Sequence, residues 1–142
     1  MPNNPQFSDG TVEASVNAET ALANGGTIQL YSGTQPTDAN TAITTQELLD
    51  TLDLSATAFA AATASGSPGS RIVTALANAI AGADAVATGS VTWARVFASN
   101  GTTVVCDCSV GTTGADIDLN TTALVSGIPV SITSFSISRP ET

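Results

Sequence analysis

The residues best placed for chemistry are Cys106 and Cys108, two apart around Asp107 in "SNGTTVVCDCSVG". Cysteines at that spacing point to a thiolate metal site or a redox couple. Neither fits the rest of the chain. A structural zinc site takes four ligands from Cys and His, and this sequence holds two cysteines and no histidine. Residues two apart in a strand hold their Cα atoms near the upper limit for a disulfide, so a bridge would be strained. The remaining chemical option is a reactive thiol, which needs a neighbouring cation to lower its pKa.

Asn100-Gly101, a strong short hairpin signal, lies between "SVTWARVFA" and "TTVVCDCSV". A turn there pairs Phe97 with Val104, Arg95 with Cys106, Trp93 with Cys108 and Val91 with Val110. Paired residues share a face. The pairing therefore predicts one core face of Val91, Trp93, Phe97, Val104, Cys106, Cys108 and Val110, with the cysteines as small apolar filling, the usual behaviour of free Cys. Arg95 falls on that face too, at its rim or reaching a carboxylate, and as the cross-strand neighbour of Cys106 it is the cation that would activate a thiol.

Other catalytic equipment is sparse. With no His and no Lys, Ser-His-Asp and Cys-His arrangements are impossible and general bases shrink to carboxylates. Two carboxylate pairs stand out, Asp50/Asp53 and Asp116/Asp118. The second lies on one face of a short strand beside a glycine loop. Calcium takes six to eight oxygens, and no loop here has that spacing, so solvated acids are the preferred reading. "GTTGAD" has no lysine and no following helix, so it is not a phosphate loop. The sequence predicts no catalytic residue, no cofactor and no metal.

At 142 residues the chain suits one domain, able to bury roughly 68–70% of its unfolded surface. Three arginines face twelve carboxylates, for a net charge of −9. That leaves no electrostatic footprint for phosphates, which argues against nucleic acid and anionic membrane as partners. "MPNNPQFSDG" has neither the basic start nor the apolar run of a signal peptide, and no stretch approaches the ~18 apolar residues of a membrane span. The expectation is a protein made in a reducing cytosol.

The elements that must position these residues follow from pattern. Residues 1–10 read as an extended arm and 11–24 as a short helix, with candidate caps at Ser8, Asp9 and Thr11 and a stop at Gly25-Gly26. Its apolar face, Val12, Val16 and Leu22, is weak, so the helix must lean on something else. "TIQLYS" places Ile28 and Leu30 on one side of a strand, Gln29 and Tyr31 on the other. "LLDTLDLS" sets Leu48, Leu52 and Leu54 against Leu49, Thr51 and Asp53, with Asp50 intruding on the first face. In the Ala-rich stretch 56–89, a strand is placed at about 71–77, "SGSPGS" is a loop, and Ala79 to Thr88 reads as linker. In "ALVSGIPVSITSFSIS", Ile128, Val130 and Ile132 share one parity, Phe135 and Ile137 the other. That phase change predicts a bulge or bend near Thr133-Ser134. About seven or eight short strands between turn signals argue for a mainly β domain, a β-sandwich or jelly roll with a short N-terminal helix and an extended arm.

Two segments are candidate partner contacts. The arm offers Pro2, Asn3, Asn4, Pro5, Gln6 and Phe7, for strand addition or clasping of a neighbour. The loop in "YSGTQPTDANTA" offers Tyr31, Gln35 and Pro36.

Three longer stretches, "GGTIQLYSGTQPTDANTAITTQELLDTLDLS", "GSVTWARVFASNGTTVV" and "SVGTTGADIDLNTTALVSGIPVSITSFSISRP", resemble a family of small virion structural proteins of tailed bacteriophages. The resemblance covers roughly residues 12–140 and is most specific in the last third. The Ala-rich segment 56–88 is longer and looser than that pattern, and the arm lies outside it. The resemblance implies a non-enzymatic virion component, made in the bacterial host. It would be a capsid decoration (cement) protein on the outer surface of the head, binding the major capsid protein as a homo-oligomer, a trimer being favoured. A tail, neck or fibre-attachment component is the alternative. A surface carbohydrate- or calcium-binding module is a third reading, from another class.

Overall fold

The computed structural model describes residues 3–141. An exposed segment without regular secondary structure, 3–7, leads into helix α1 (Asp9–Ala21). Twelve strands follow: β1 (Thr27–Tyr31), β2 (Leu48–Asp53), β3 (Thr63–Ser65), β4 (Ile72–Leu76), β5 (Ala83–Asp84), β6 (Gly89–Ser90), β7 (Trp93–Phe97), β8 (Val104–Gly111), β9 (Ile117–Leu119), β10 (Ala123–Leu124), β11 (Pro129–Val130) and β12 (Ile132–Pro140). The fold is mainly β with a short N-terminal helix. Eight strands form one sheet in the order β2-β1-β7-β8-β9-β12-β4-β3, and β10-β6 and β11-β5 form two small ladders. Within the large sheet β8 and β9 pair in parallel, whereas the other neighbours are antiparallel.

The helix starts two residues earlier than its pattern predicts, and the arm is correspondingly shorter. Ser8 caps it, its hydroxyl accepting from the Thr11 N–H, and Asp9 in the first turn complements the helix dipole. The buried stripe is Val12, Val16 and Thr20, while Leu22 is 62% exposed. What holds this weakly apolar helix is polar. Glu13, Asn17 and Asn24 accept hydrogen bonds from the backbone N–H groups of Ala64, Ala62 and Ala58 respectively. These bonds fasten the Ala-rich segment, which has few large side chains to bury. Gly26 is needed where the chain leaves the helix, because a Cβ there would lie 2.0 Å from the Phe97 carbonyl oxygen.

The Ala-rich region is more ordered than a linker. β3 and β4 form a hairpin around "SGSPGS". The stretch read as linker carries β5, buries Ala85, and donates the N–H groups of Val86 and Ala87 to the Leu49 carbonyl.

Three irregularities in pairing decide which side chains enter the core. In β12 the register against β9 shifts between Ile132 and Ser134, the bulge expected from the phase change. Beyond it, β12 pairs with β4. In β2 the pairing passes from Leu30↔Asp50 to Tyr31↔Leu48, leaving Leu49 as the extra residue. Leu49 is therefore buried and Leu48 turned outward, the reverse of simple alternation, and Asp50 goes inside with Leu52.

The third irregularity is in the hairpin. Phe97 does pair with Val104, but the next pair is Val96↔Cys106. Val105 is the extra residue. Arg95 consequently faces Asp107, Ala94 faces Cys108 and Trp93 faces Ser109. The core face is built from Ala94, Val96 and Cys108 beside Ile28 and Leu30, whereas Trp93 and Arg95 lie on the opposite side of the sheet.

Asp50 is 1% exposed, and its Oδ2 has no hydrogen-bond partner, although Oδ1 accepts from the Thr51 N–H. Burial is the main cause of a pKa raised above the ordinary aspartate value. A carboxyl with a raised folded pKa binds its proton more tightly in the native state. Its contribution is therefore most favourable below the unfolded pKa and declines as pH rises through the folded one. Asp50→Asn is expected to raise Tm at pH 7 by a few degrees, corresponding to about 1 kcal/mol, with the gain shrinking as pH falls toward about 4. Paired thermal melts across pH 4–8 check this, and an equal or lower Tm at pH 7 refutes it.

Candidate functional site

In the "CDC" motif the two cysteines lie on the core side of the sheet. Cys106 and Cys108 are free thiols with sulfur atoms 3.7 Å apart. That contact, reinforced by burial, pushes the Cys108 thiol pKa up, while the same contact lowers that of Cys106. Arg95, the cation expected beside them, projects from the other face of the sheet because of the Val105 bulge. The charges that act on the thiols belong to Asp107, Asp116 and Glu19, and these disfavour a thiolate.

On the face opposite the thiols the sheet carries a second buried cluster. Arg95 forms a bidentate pair with Asp107, Nε to Oδ1 at 2.6 Å and Nη2 to Oδ2 at 2.8 Å. Its Nη1 donates to the Thr41 carbonyl at 2.9 Å. The hydrogen bonds it donates to Asp107 hold the guanidinium charged and raise its pKa. The Trp93 ring is fully buried, stacked on Tyr31 at 4.8 Å between centroids and covered by the Arg95 guanidinium at 5.4 Å. The Tyr31 hydroxyl donates to Gln29 Oε1, and burial raises its pKa. The loop 32–47 lies over this cluster. Asp38 turns it by accepting from the N–H groups of Asn40 and Thr41, and Thr92 anchors it by donating to the Gly33 carbonyl. The chemistry is that of a fastening: every charged group has its partner, and the loop carbonyl is one of the partners.

The acidic pair is likewise structural. Asp116 Oδ2 accepts from the N–H and hydroxyl of Ser109. Asp118 accepts from the N–H groups of Gly114 and Ala115 and from the Ser134 hydroxyl. Among the described residues no group of three or more His, Cys, Asp or Glu side chains is arranged to hold a metal.

The expected partner contacts divide. Asn3, Asn4, Pro5, Gln6 and Phe7 are all exposed, and Phe7 keeps 51% of its surface open. Among the described residues none of these five takes part in a hydrogen bond to the domain. Pro2 lies outside the described residues. Gln35 is exposed and Pro36 half-buried in the loop. Tyr31 is 5% exposed and is not available to a partner, because its ring is one half of the stack that holds the loop. A feature the sequence concealed is a cavity of about 410 Å³ between β8, β12 and the end of α1, lined by Leu22, Cys106, Asp116, Ile137 and Arg139 among others. Nothing local signals it, since its walls come from three distant segments.

No family model, curated protein or solved structure matches the chain.

The buried ion pair yields a direct expectation. Arg95→Leu leaves Asp107 buried without a partner and should cost about 3–5 kcal/mol. Arg95→Met combined with Asp107→Leu should recover most of that loss. Urea denaturation of the two variants and the parent checks this, and equal losses in the single and double variants would show that the pair is not the source.

Proposed function

We propose that this chain is a non-enzymatic structural protein of a tailed-bacteriophage virion, and specifically a capsid decoration (cement) protein bound to the outside of the head. The observation that carries the reading is the arm. Residues 3–7 are exposed and without hydrogen bonds to the domain, beside a domain in which Arg95, Asp107, Asp116 and Asp118 are engaged in internal contacts. A segment without hydrogen bonds to its own domain is suited to clasping a neighbour.

The sheet adds a second surface of the right kind. The outward side of β3, β4 and β12 presents Thr63, Ser65, Ile72, Leu76, Ser136 and Ser138, without a charge. On a chain of net charge −9 such a neutral face lets acidic copies approach one another or a coat subunit. The acidic remainder suits the exterior of a shell and not contact with packaged DNA. The sequence resemblance to phage virion proteins points the same way. Function then follows from mass action: many copies that bind only the assembled shell stabilise it by their binding free energy.

Copy number tests the reading. Quantitative mass spectrometry of purified particles should find this chain in numbers comparable to the major capsid protein. A few to about a dozen copies would place it in the tail or neck, and none would remove it from the virion. The arm makes a separate expectation. Deleting residues 2–7, which spares the Ser8 cap and the Asp9–Arg71 ion pair, should leave Tm within about 2 °C, the scale of a surface change. Particle binding should fall at least tenfold. Unimpaired binding would show that the arm is not the clasp.

A further inference from the structure

The large sheet contains a vacant strand position. β9 occupies the lane between β8 and β12 for three residues only, pairing with Val110 and Gly111 on one side and Ile132 to Phe135 on the other. Because β9 is parallel to β8 and antiparallel to β12, the same lane continues between the earlier part of β8 and the later part of β12. No strand fills it there. The cavity of about 410 Å³ described above is this gap, and its lining includes Val105 to Cys108 on one wall and Ser136 to Arg139 on the other.

Both walls present backbone groups to the lane. In an antiparallel ladder successive residues direct their N–H and C=O to opposite sides. Ser109 donates its N–H to Asp116 Oδ2, toward β9 and away from β7, so Asp107, two residues earlier, also faces the lane. Ser136 donates its N–H to the Asp116 carbonyl and so faces the lane, as do Ser138 and Pro140 by the same alternation. The N–H and C=O of Asp107 and Ser138 have no strand opposite them. The wall from 105 to 109 is about 16 Å long, enough for about five extended residues.

We infer that this lane is a docking site for an extended segment of a partner protein, added as a strand parallel to β8 and antiparallel to β12, with aliphatic side chains turned inward and basic residues at its ends. The inward floor is Leu22, Cys106, Cys108 and Ile137, bordered by the Glu19–Arg139 ion pair, and its apolar part is a surface for Val, Ile or Leu. Charge selects the flanks. All three arginines are held in internal pairs, with Asp9, Asp107 and Glu19, so no free cation among the described residues balances the other nine carboxylates. Charge also disfavours a second copy of this chain as the donor. The chain's own arm is a poor occupant, because Pro2 and Pro5 would each remove a donor from a strand that needs donors on both sides. The lane is a property of the sheet and stands apart from the virion reading.

The test uses the full chain and a capped heptapeptide, Lys-Thr-Val-Thr-Val-Thr-Lys, whose valines share one face. Hydrogen exchange should show the amides of Asp107 and Ser138 exchanging rapidly in the free protein, with at least tenfold protection at saturating peptide. The same peptide with Glu at both ends should bind at least tenfold more weakly at low salt. Leu22→Glu, at a largely exposed position that leaves the core untouched, should weaken binding at least tenfold. Absence of protection at Asp107 and Ser138, protection confined to the sheet edges β2 or β3, or indifference to Leu22→Glu would each overturn the proposal. If protection instead grows with protein concentration without peptide, or a peptide of residues 2–8 protects equally well, the occupant is another copy of this chain and the partner assignment is wrong.

Discussion

A strand has a side-chain period of two, so one inserted residue moves every side chain beyond it to the other face. Val105 is that residue in the central hairpin, and the two sides of the sheet depend on it. With Val105 outside the ladder, Cys106 and Cys108 face the core with Ala94 and Val96. Arg95, Trp93 and Asp107 gather on the reverse side with Tyr31. Without the insertion, Arg95 would be buried among aliphatic side chains beside two thiols. The bulge thus separates a charged fastening from an apolar core, and it does so with one residue.

That separation lets an acidic chain with few cations hold a long loop in place. A buried carboxylate or guanidinium alone is strongly unfavourable, but a bidentate pair that also satisfies a backbone carbonyl meets its hydrogen-bonding needs. Arg95 meets two needs at once, the charge of Asp107 and the orphan carbonyl of Thr41. The Tyr31–Trp93 stack supplies apolar area beneath the same loop. The helix follows a similar logic on the other side of the sheet. Its apolar stripe is narrow, and Glu13, Asn17 and Asn24 satisfy the backbone of an Ala-rich segment that has few large side chains of its own to bury. Internal polar bonding compensates in both places for a shortage of bulky apolar residues.

The same economy shapes the surface. Asp116 and Asp118 are drawn into turn contacts and the arginines into ion pairs, which leaves at the surface an arm without hydrogen bonds to the domain, an uncharged sheet face and the gap between β8 and β12. The arm exposes Phe7, and the sheet face exposes Ile72 and Leu76 among its small polar side chains. The proposed assembly role draws on these surfaces through contact area and strand pairing.

Much of the fold was legible because it is governed by local rules. Period-two alternation located β1, β2, β7, β8 and β12, the phase change at Thr133-Ser134 located a bulge, and Asn100-Gly101 located the hairpin and its first pair. Composition alone excluded histidine-based chemistry, because the chain has no histidine. What only the tertiary structure decided were the two bulges at Leu49 and Val105, the burial of Tyr31, the order imposed on residues 79–88 and the open lane between β8 and β12. The physical reason is common to all of them. A bulge is chosen by competition between whole faces for the core, which no short window of sequence records. A lane or a covering loop exists only where segments distant in the chain meet.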